Sequence, residues 1–253
     1  MIEENWTIEL GSLALKNLVS KATEKIPLIP VTEDIIKLKK LVDKNAAEAY
    51  DQLINNPNDR SSRAKNYYKI LAETTLISII IHNRKRAGDV QYLTLESFDR
   101  QRKTEGFYGG ETSLANEFMA SLSETEKILT QQYIRLQTIG KANQRVPALI
   151  PRDEFKYFEL LYEIRTSSPQ WFPHPKNRFL FAFPDSKRYI CGINGIRKWC
   201  KRCGAKYPNL LTVVRLRKHI ATVTQILSLK DYDIDQFASF LGHTKETFLK
   251  YYR

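Results

Sequence analysis

The sequence predicts a mainly α-helical protein with one small β-sheet, an α+β fold. Three features carry this prediction. Between Arg63 and His82, Tyr67, Tyr68, Ile70, Leu71, Leu76, Ile77, Ile80 and Ile81 recur at the spacing of a buried helix. Tyr133–Thr138 and Arg145–Ile150 alternate on either side of a turn through Gly140, the pattern of a β-hairpin. Most other segments open on side chains that cap helix N-termini. The length of 253 residues suits one large domain at 32–253 with an N-terminal extension and linker at 1–31.

Pro27 and Pro30, in KIPLIP, end the amphipathic stretch of residues 1–31. Thr32 then reads as an N-cap, with Glu33 and Asp34 in the first turn of a helix over 33–55. Residues 56–62 read as a loop, followed by the buried helix, a basic turn (Asn83–Arg86) and a short helix to Leu93. Residues 99–112 are expected to be a loop. Ser123 and Glu126 form a capping box for a helix leading into the hairpin. An amphipathic helix over 152–167 presents Phe155, Phe158, Leu161 and Tyr162, and Phe179–Phe183 reads as a short strand. Asn194 is expected to cap a helix over 195–203 that Gly204 ends. A helix over 214–229 follows, then one over 234–241 with a capping box at Asp233–Gln236. Gly242 stops it, and Thr244 caps a last short helix through Tyr252.

Composition narrows the function. With 42% hydrophobic and 27% charged residues the chain is not a disordered one, and ten Gly and ten Pro exclude a collagen-like repeat. The apolar run Leu76–Ile81 is far too short to cross a bilayer, so no membrane partner is expected. The start MIEENWTIEL lacks the basic residues of a signal peptide, and three cysteines make no disulfide framework; a reducing intracellular compartment is expected. Charge is segregated. Residues 1–140 hold 19 basic and 19 acidic side chains, whereas 141–253 hold 21 and 9. No acidic residue falls between Asp185 and Asp231, where eleven Lys and Arg interleave with Tyr189, Trp199 and Tyr207. A solvated basic face is the plain reading; so long a one-sign segment favours a polyanion, with double-stranded DNA the expected partner.

Cutting a phosphodiester without metal requires cations on the non-bridging oxygens, a nucleophile and an acid for the leaving oxygen. The C-terminal motifs LRKHIAT (216–222), FLGH (240–243) and KYYR (250–253) have the spacing of one such solution. They resemble the tyrosine recombinase (phage integrase) family, whose catalytic domain ends in H-x-L-R-H-T-x-A-T, then L-G-H, then a tyrosine nine residues later. Leu216, Arg217, Ala221 and Thr222 match the first element, Leu241, Gly242 and His243 the second, and Tyr252 lies nine residues past His243. Arg86 with Asp89 and Leu93 resembles the family's R-x-x-E-x-x-x-L. Lys141 in GKANQRVPALI resembles its lysine hairpin. The YYR ending and the RKHIAT box look most like eukaryotic, transposon-encoded members of the Crypton-like kind.

The resemblance implies a tyrosine-recombinase catalytic-domain fold over 32–253, with 1–31 the remnant of a core-binding region. It implies a site-specific recombinase or transposase-like enzyme that integrates or recombines DNA through a 3′-phosphotyrosine intermediate. Arg86 and Arg217 would clamp the scissile phosphate, Lys141 would protonate the leaving 5′ oxygen, His243 would hydrogen-bond the phosphate and Tyr252 would attack. Tyr251 is the rival nucleophile, since adjacent helical residues point about 100° apart and only one can reach. DNA contacts are expected from Arg84, Lys85, Arg145, Arg197, Lys198, Lys201, Arg202, Arg215, Lys218 and His219. No cofactor is needed. Cys200-x-x-Cys203 with Cys191 lacks an evident fourth ligand and reads as helix packing, so no metal is expected. A homo-oligomer on DNA, dimer to tetramer, and a nuclear location (cytoplasmic if the chain is prokaryotic or viral) complete the expectation.

The sequence departs from the family in three places. Val214 stands where the first histidine of H-x-x-R belongs, and His219 lies about 200° around the helix from Arg217. The 55 residues between Arg86 and Lys141 imply a helical insertion around 112–131, and only Arg253 follows Tyr252. These departures keep open a second function, a catalytically inactive, domesticated DNA-binding protein derived from a recombinase. A relaxing enzyme of the type IB topoisomerase kind would share the chemistry, and a structural or protein-binding role would show no DNA binding at all.

Overall fold

In the computed structural model, residues 28–109, 120–121, 124–140, 143–167, 174 and 176–226 are described. Helix α1 (Thr32–Asn55) buries Ile35, Leu38, Val42, Ala46, Ala49 and Leu53, a stripe at steps of three and four that lies along α2 (Ser62–Asn83). Thr32 is its first helical residue, not its cap; Val31 holds the N-cap position without a side-chain bond. The Thr32 hydroxyl is used elsewhere, 3.2 Å from Nε2 of His219. Asp34, buried in the first turn, accepts backbone N–H bonds from Lys206 and Tyr207 at 2.8 Å each.

Helix α2 is the axis of the molecule. Ser61 caps it by accepting the Ala64 N–H at 3.3 Å. All eleven residues from Leu71 to Ile81 are buried, so the helix is covered on every side. Its apolar periodicity predicted a buried helix; Thr74, Thr75 and Ser78 are buried with it, Thr74 donating to the Ile70 carbonyl at 2.7 Å and Ser78 to Glu154 at 2.6 Å. Next come α3 (Ala87–Gln91), α4 (Leu95–Gly109) and α5 (Glu124–Gln132). The loop expected at 99–112 is instead helical through Gly109: Thr94 caps the Ser97 N–H, and Asp99 pairs with Arg102 and Lys103 within the helix. Local ion pairs at helical spacing override the loop-like composition.

Strands β1 (Tyr133–Ile139) and β2 (Arg145–Pro151) pair antiparallel, Tyr133 opposite Pro151 and Ile139 opposite Arg145. One face buries Ile134, Leu136, Thr138, Val146, Ala148 and Ile150. Both outer edges are closed by an amide side chain that mimics a strand. Asn83, the last residue of α2, donates to the Leu149 carbonyl at 2.8 Å and accepts its N–H at 2.6 Å. Gln101 of α4 does the same for Gln137, at 2.9 and 2.5 Å. Each strand thereby has one outward-facing residue, Leu149 or Gln137, with both backbone groups bonded to a side chain.

A 3₁₀ turn (Arg152–Glu154) leads into α6 (Phe155–Ser167), a little later than the sequence reading. Phe179–Phe183 makes only single bridges, Thr94 with Phe179 and Ala182 with Tyr189, and is not a strand. It is held between two neighbours at once, Leu180 donating to Leu93 and Ile190 to Phe181, both at 2.8 Å. Helix α7 (Gly192–Cys200) begins three residues before the expected start, capped at Cys191 with Asn194 inside it. It lies so close to α2 that a Cβ at Gly192 would sit 2.6 Å from Ile80 Cδ1, and one at Gly195 2.9 Å from Ile77 Cδ1. Gly204, at φ +67°, turns the chain beyond it. Helix α8 (Val213–Ile226) is the last described element, so the capping boxes and helices expected beyond 226 lie outside the described residues, as does Ser123. Among the described residues the architecture is mainly helical with one two-stranded sheet, as predicted.

Candidate active site and nucleic-acid interface

Three segments distant in sequence meet at the C-terminal end of α2. Arg84 leaves the helix in the left-handed conformation (φ +52°), which folds the chain back sharply so that Arg86 becomes the N-cap residue of α3. Asp89, three residues on, accepts the Arg86 backbone N–H at 3.2 Å. Arg217, in the second turn of α8, brings Nη1 to 4.0 Å from Asp89 Oδ2, an ion pair longer than a hydrogen bond. Both side chains are nearly sealed from solvent, at 5% and 3% exposure. Opposite them lies the tip of the hairpin: a Cβ on Gly140 would fall 3.1 Å from Asp89 Oδ1 and 2.7 Å from Val146 Cγ2. Glycine is required here by close approach, and the Gly140 N–H closes the turn on Gln144 at 2.8 Å.

Lys85 is the unexpected member. It was expected on a DNA-facing surface, yet it is fully buried, 0% exposed, beside this cluster. Burial pushes its ammonium down to about 7, against the pull of Asp89, while Arg217 and Arg86 push it the same way as burial. Asp89 is raised by its own burial, opposed by Arg86 and Arg217. Asp89 was noticed in the sequence only as the register mark of Arg86; its place between the Arg86 backbone N–H and the Arg217 guanidinium needed the fold.

The remaining expected contacts divide by exposure. Arg145, Arg197, Lys198, Lys201 and Arg202 are exposed, and Lys198 and Arg202 flank the buried Trp199 ring, each 5.2 Å from its centroid. Lys198 also pairs with the buried Glu73. Arg215 donates to the Asn209 carbonyl at 2.7 Å, and Lys218 is half-buried. His219 faces inward at 8% exposure, on Thr32 and in the field of Arg84, and its pKa is lowered by burial first and Arg84 second. Val214 is 64% exposed. Lys141, His243, Tyr251 and Tyr252 lie outside the described residues.

Among the described residues no group of three or more His, Cys, Asp or Glu side chains could hold a metal ion. Cys200 donates to the Leu211 carbonyl and Cys203 to the Cys200 carbonyl, at 3.2 and 3.3 Å. No described helix is long and apolar enough to cross a membrane.

The fold is similar to that of site-specific recombinases of known structure. Among solved structures the chain is similar to the site-specific recombinase XerH bound to its difH substrate in a pre-cleavage complex, with a TM-score of 0.51 and 16% identity over 90% of this chain. It is also similar to XerH bound to palindromic difH in a post-cleavage complex, with a TM-score of 0.50, 17% identity and the same coverage. The chain spans about half the length of these relatives, 51% and 50%. No protein-family model and no curated protein matches the sequence.

Proposed function

We propose that residues 32–253 are a catalytic domain that binds duplex DNA and cuts and rejoins its strands through a 3′-phosphotyrosine link. One observation carries this reading: Arg86 and Arg217, 131 positions apart, converge on Asp89 beside the hairpin tip at Gly140, which immediately precedes Lys141. Arginines at these two positions suit a phosphodiester, since a guanidinium fork can donate to its two non-bridging oxygens at once. Lys141 would protonate the leaving 5′ oxygen, His243 would hydrogen-bond the phosphate and Tyr252 would attack, its phenolate stabilised by the cations around it. The exposed cations Arg197, Lys201 and Arg202 would follow the flanking backbone. Assembly on paired sites as a dimer or tetramer, a Crypton-like origin and a nuclear location belong to the same proposal.

A suicide DNA substrate tests it. The wild-type protein is expected to form a covalent adduct that Tyr252→Phe abolishes; an adduct that survives this substitution refutes Tyr252 as nucleophile. The exposed Val214, in place of a histidine, favours the alternative of a DNA-binding protein without catalysis. That reading predicts salt-sensitive binding and no adduct under any condition.

A further inference from the structure

Residues 181–190 double back on themselves. Phe183 donates to the Arg188 carbonyl at 2.9 Å and Ile190 to the Phe181 carbonyl at 2.8 Å, with Asp185 at φ +54° in the turn. Lys65 of α2 holds that turn through an ion pair with Asp185 at 2.6 Å. Between the doubled segment, α2 and the start of α7 lies a cleft of about 330 Å³, a size that suits a small ligand.

Its walls carry two kinds of group. Lys69 and Arg188 are cations with no carboxylate partner among the described residues: Lys69 Nζ sits 4.8 Å from the centroid of the Phe183 ring, and Arg188 Nε donates to Ser186 Oγ at 3.4 Å. Glu73, the remaining charged residue of the lining, is answered by Lys198. The cleft is therefore cationic, and the start of α7, the positive end of its dipole, borders it through Cys191 and Asn194. The other groups are aromatic. Phe183 is 37% exposed, and the Tyr189 ring is held edge-on by Tyr92 and Phe179, at 4.7 and 5.4 Å between centroids. A ligand that uses both kinds of group is an anion carried on a flat ring.

We infer that this cleft is a nucleotide site, with the phosphate on Lys69 and Arg188 and the base against Phe183 and Tyr189. Two cations already held in place by the Phe183 ring and Ser186 lose little freedom on binding. Ring stacking accepts any base, and the Asn194 amide offers a donor and an acceptor to a base edge. A free mononucleotide and an unpaired residue of a DNA strand present this same chemistry. The inference is independent of the recombinase reading. Lys69 lies about 20 Å along the α2 axis from Asn83, after which the arginine-bearing loop begins, and neither Lys69 nor Arg188 belongs to that cluster.

Ligand-observed NMR titration of the full chain at low salt, with adenosine and thymidine 5′-monophosphates, tests it. Both should bind, and Lys69→Met, Arg188→Met and Phe183→Ser should each weaken binding about tenfold. Adenosine or inorganic phosphate alone should bind about tenfold more weakly than the nucleotide. Equal binding of inorganic phosphate or of a triglutamate peptide, or variants that bind as the wild type does, overturns the inference. A second measurement uses wild-type protein only: alkylation by iodoacetamide, mapped by mass spectrometry. Adenosine 5′-monophosphate should slow the reaction of Cys191, which lines the cleft, and leave Cys203 unaffected; an unprotected Cys191 in nucleotide-saturated protein overturns the inference. Competition identifies the source. Displacement of the mononucleotide by single-stranded pentathymidylate assigns the site to unpaired DNA, and no displacement assigns it to free nucleotide. Displacement by blunt duplex makes the cleft part of a duplex track and overturns the inference. Failure to form a covalent DNA adduct refutes the recombinase reading and leaves nucleotide binding as it was.

Discussion

Removing the Asp89 charge should cost the protein more than any surface ion pair would. Asp89→Asn preserves side-chain volume but removes the charge that Arg217 faces and that the Arg86 N–H donates to. At 4.0 Å, the Arg217–Asp89 pair is worth about 4 kcal/mol of attraction at an effective dielectric of about 20. The carboxylate also accepts the Arg86 N–H, a charge-assisted bond worth about 1.5–3 kcal/mol. Against these stands the desolvation that the neutral amide no longer suffers, so the net loss should be about 3 kcal/mol. For a chain of this size that lowers Tm by about 6–12 °C. The assay is a double-mutant cycle followed by thermal and urea unfolding, with Arg217→Met as the second arm. If the pair interacts as described, the double variant is more stable than the sum of the single losses implies, with a coupling of about 1–3 kcal/mol. Strict additivity, or an Asp89→Asn protein as stable as the wild type, would refute the pairing.

Other perturbations probe the rest of the frame. Gly140→Ala places a methyl 2.7 Å from Val146 Cγ2, and overpacking of this kind should cost about 1–3 kcal/mol and slow adduct formation, read by Tm and by gel. Asn83→Ala leaves the Leu149 N–H and C=O without partners, a loss of about 2 kcal/mol, and hydrogen exchange at Leu149 should accelerate strongly. His219 has a folded-state pKa below its unfolded value, so the unfolded chain takes up the proton first and stability is lost as pH falls below about 6.5. Urea midpoints of His219→Gln should lack that part of the acid sensitivity. The double charge reversal Lys201→Glu with Arg202→Glu should weaken DNA binding across all sequences and reduce the salt slope by about two, as measured by fluorescence anisotropy.

Much of this was legible along the chain because the signals were local. The apolar period of 63–82 and the alternation around Gly140 are rules that neighbouring residues enforce together. Helix α4 was missed because DRQRKTEGFYGG has the composition of a loop, and its support comes from ion pairs and from Gln101 clamping a strand 36 residues away. Phe179–Phe183 was misread because a short apolar run cannot distinguish a strand from a segment pinned by one bridge on each side. At the site, motif spacing picked out Arg86 and Arg217, but burial is a property of the assembled fold. Lys85 sits between two arginines in the sequence and looks like a surface cation; only the packing of α8 against the end of α2 turns it inward.

The helix that fills the centre of this protein is also the one whose end carries the cationic loop. A substitution at Ile80 or Ile81 that shifts α2 by a fraction of an ångström would move Arg84, Lys85 and Arg86 with it. Drift in the interior is therefore constrained by the chemistry at the rim. If the proposed cleavage holds, interior positions near the helix terminus should vary less in copies that cut DNA than in copies that do not.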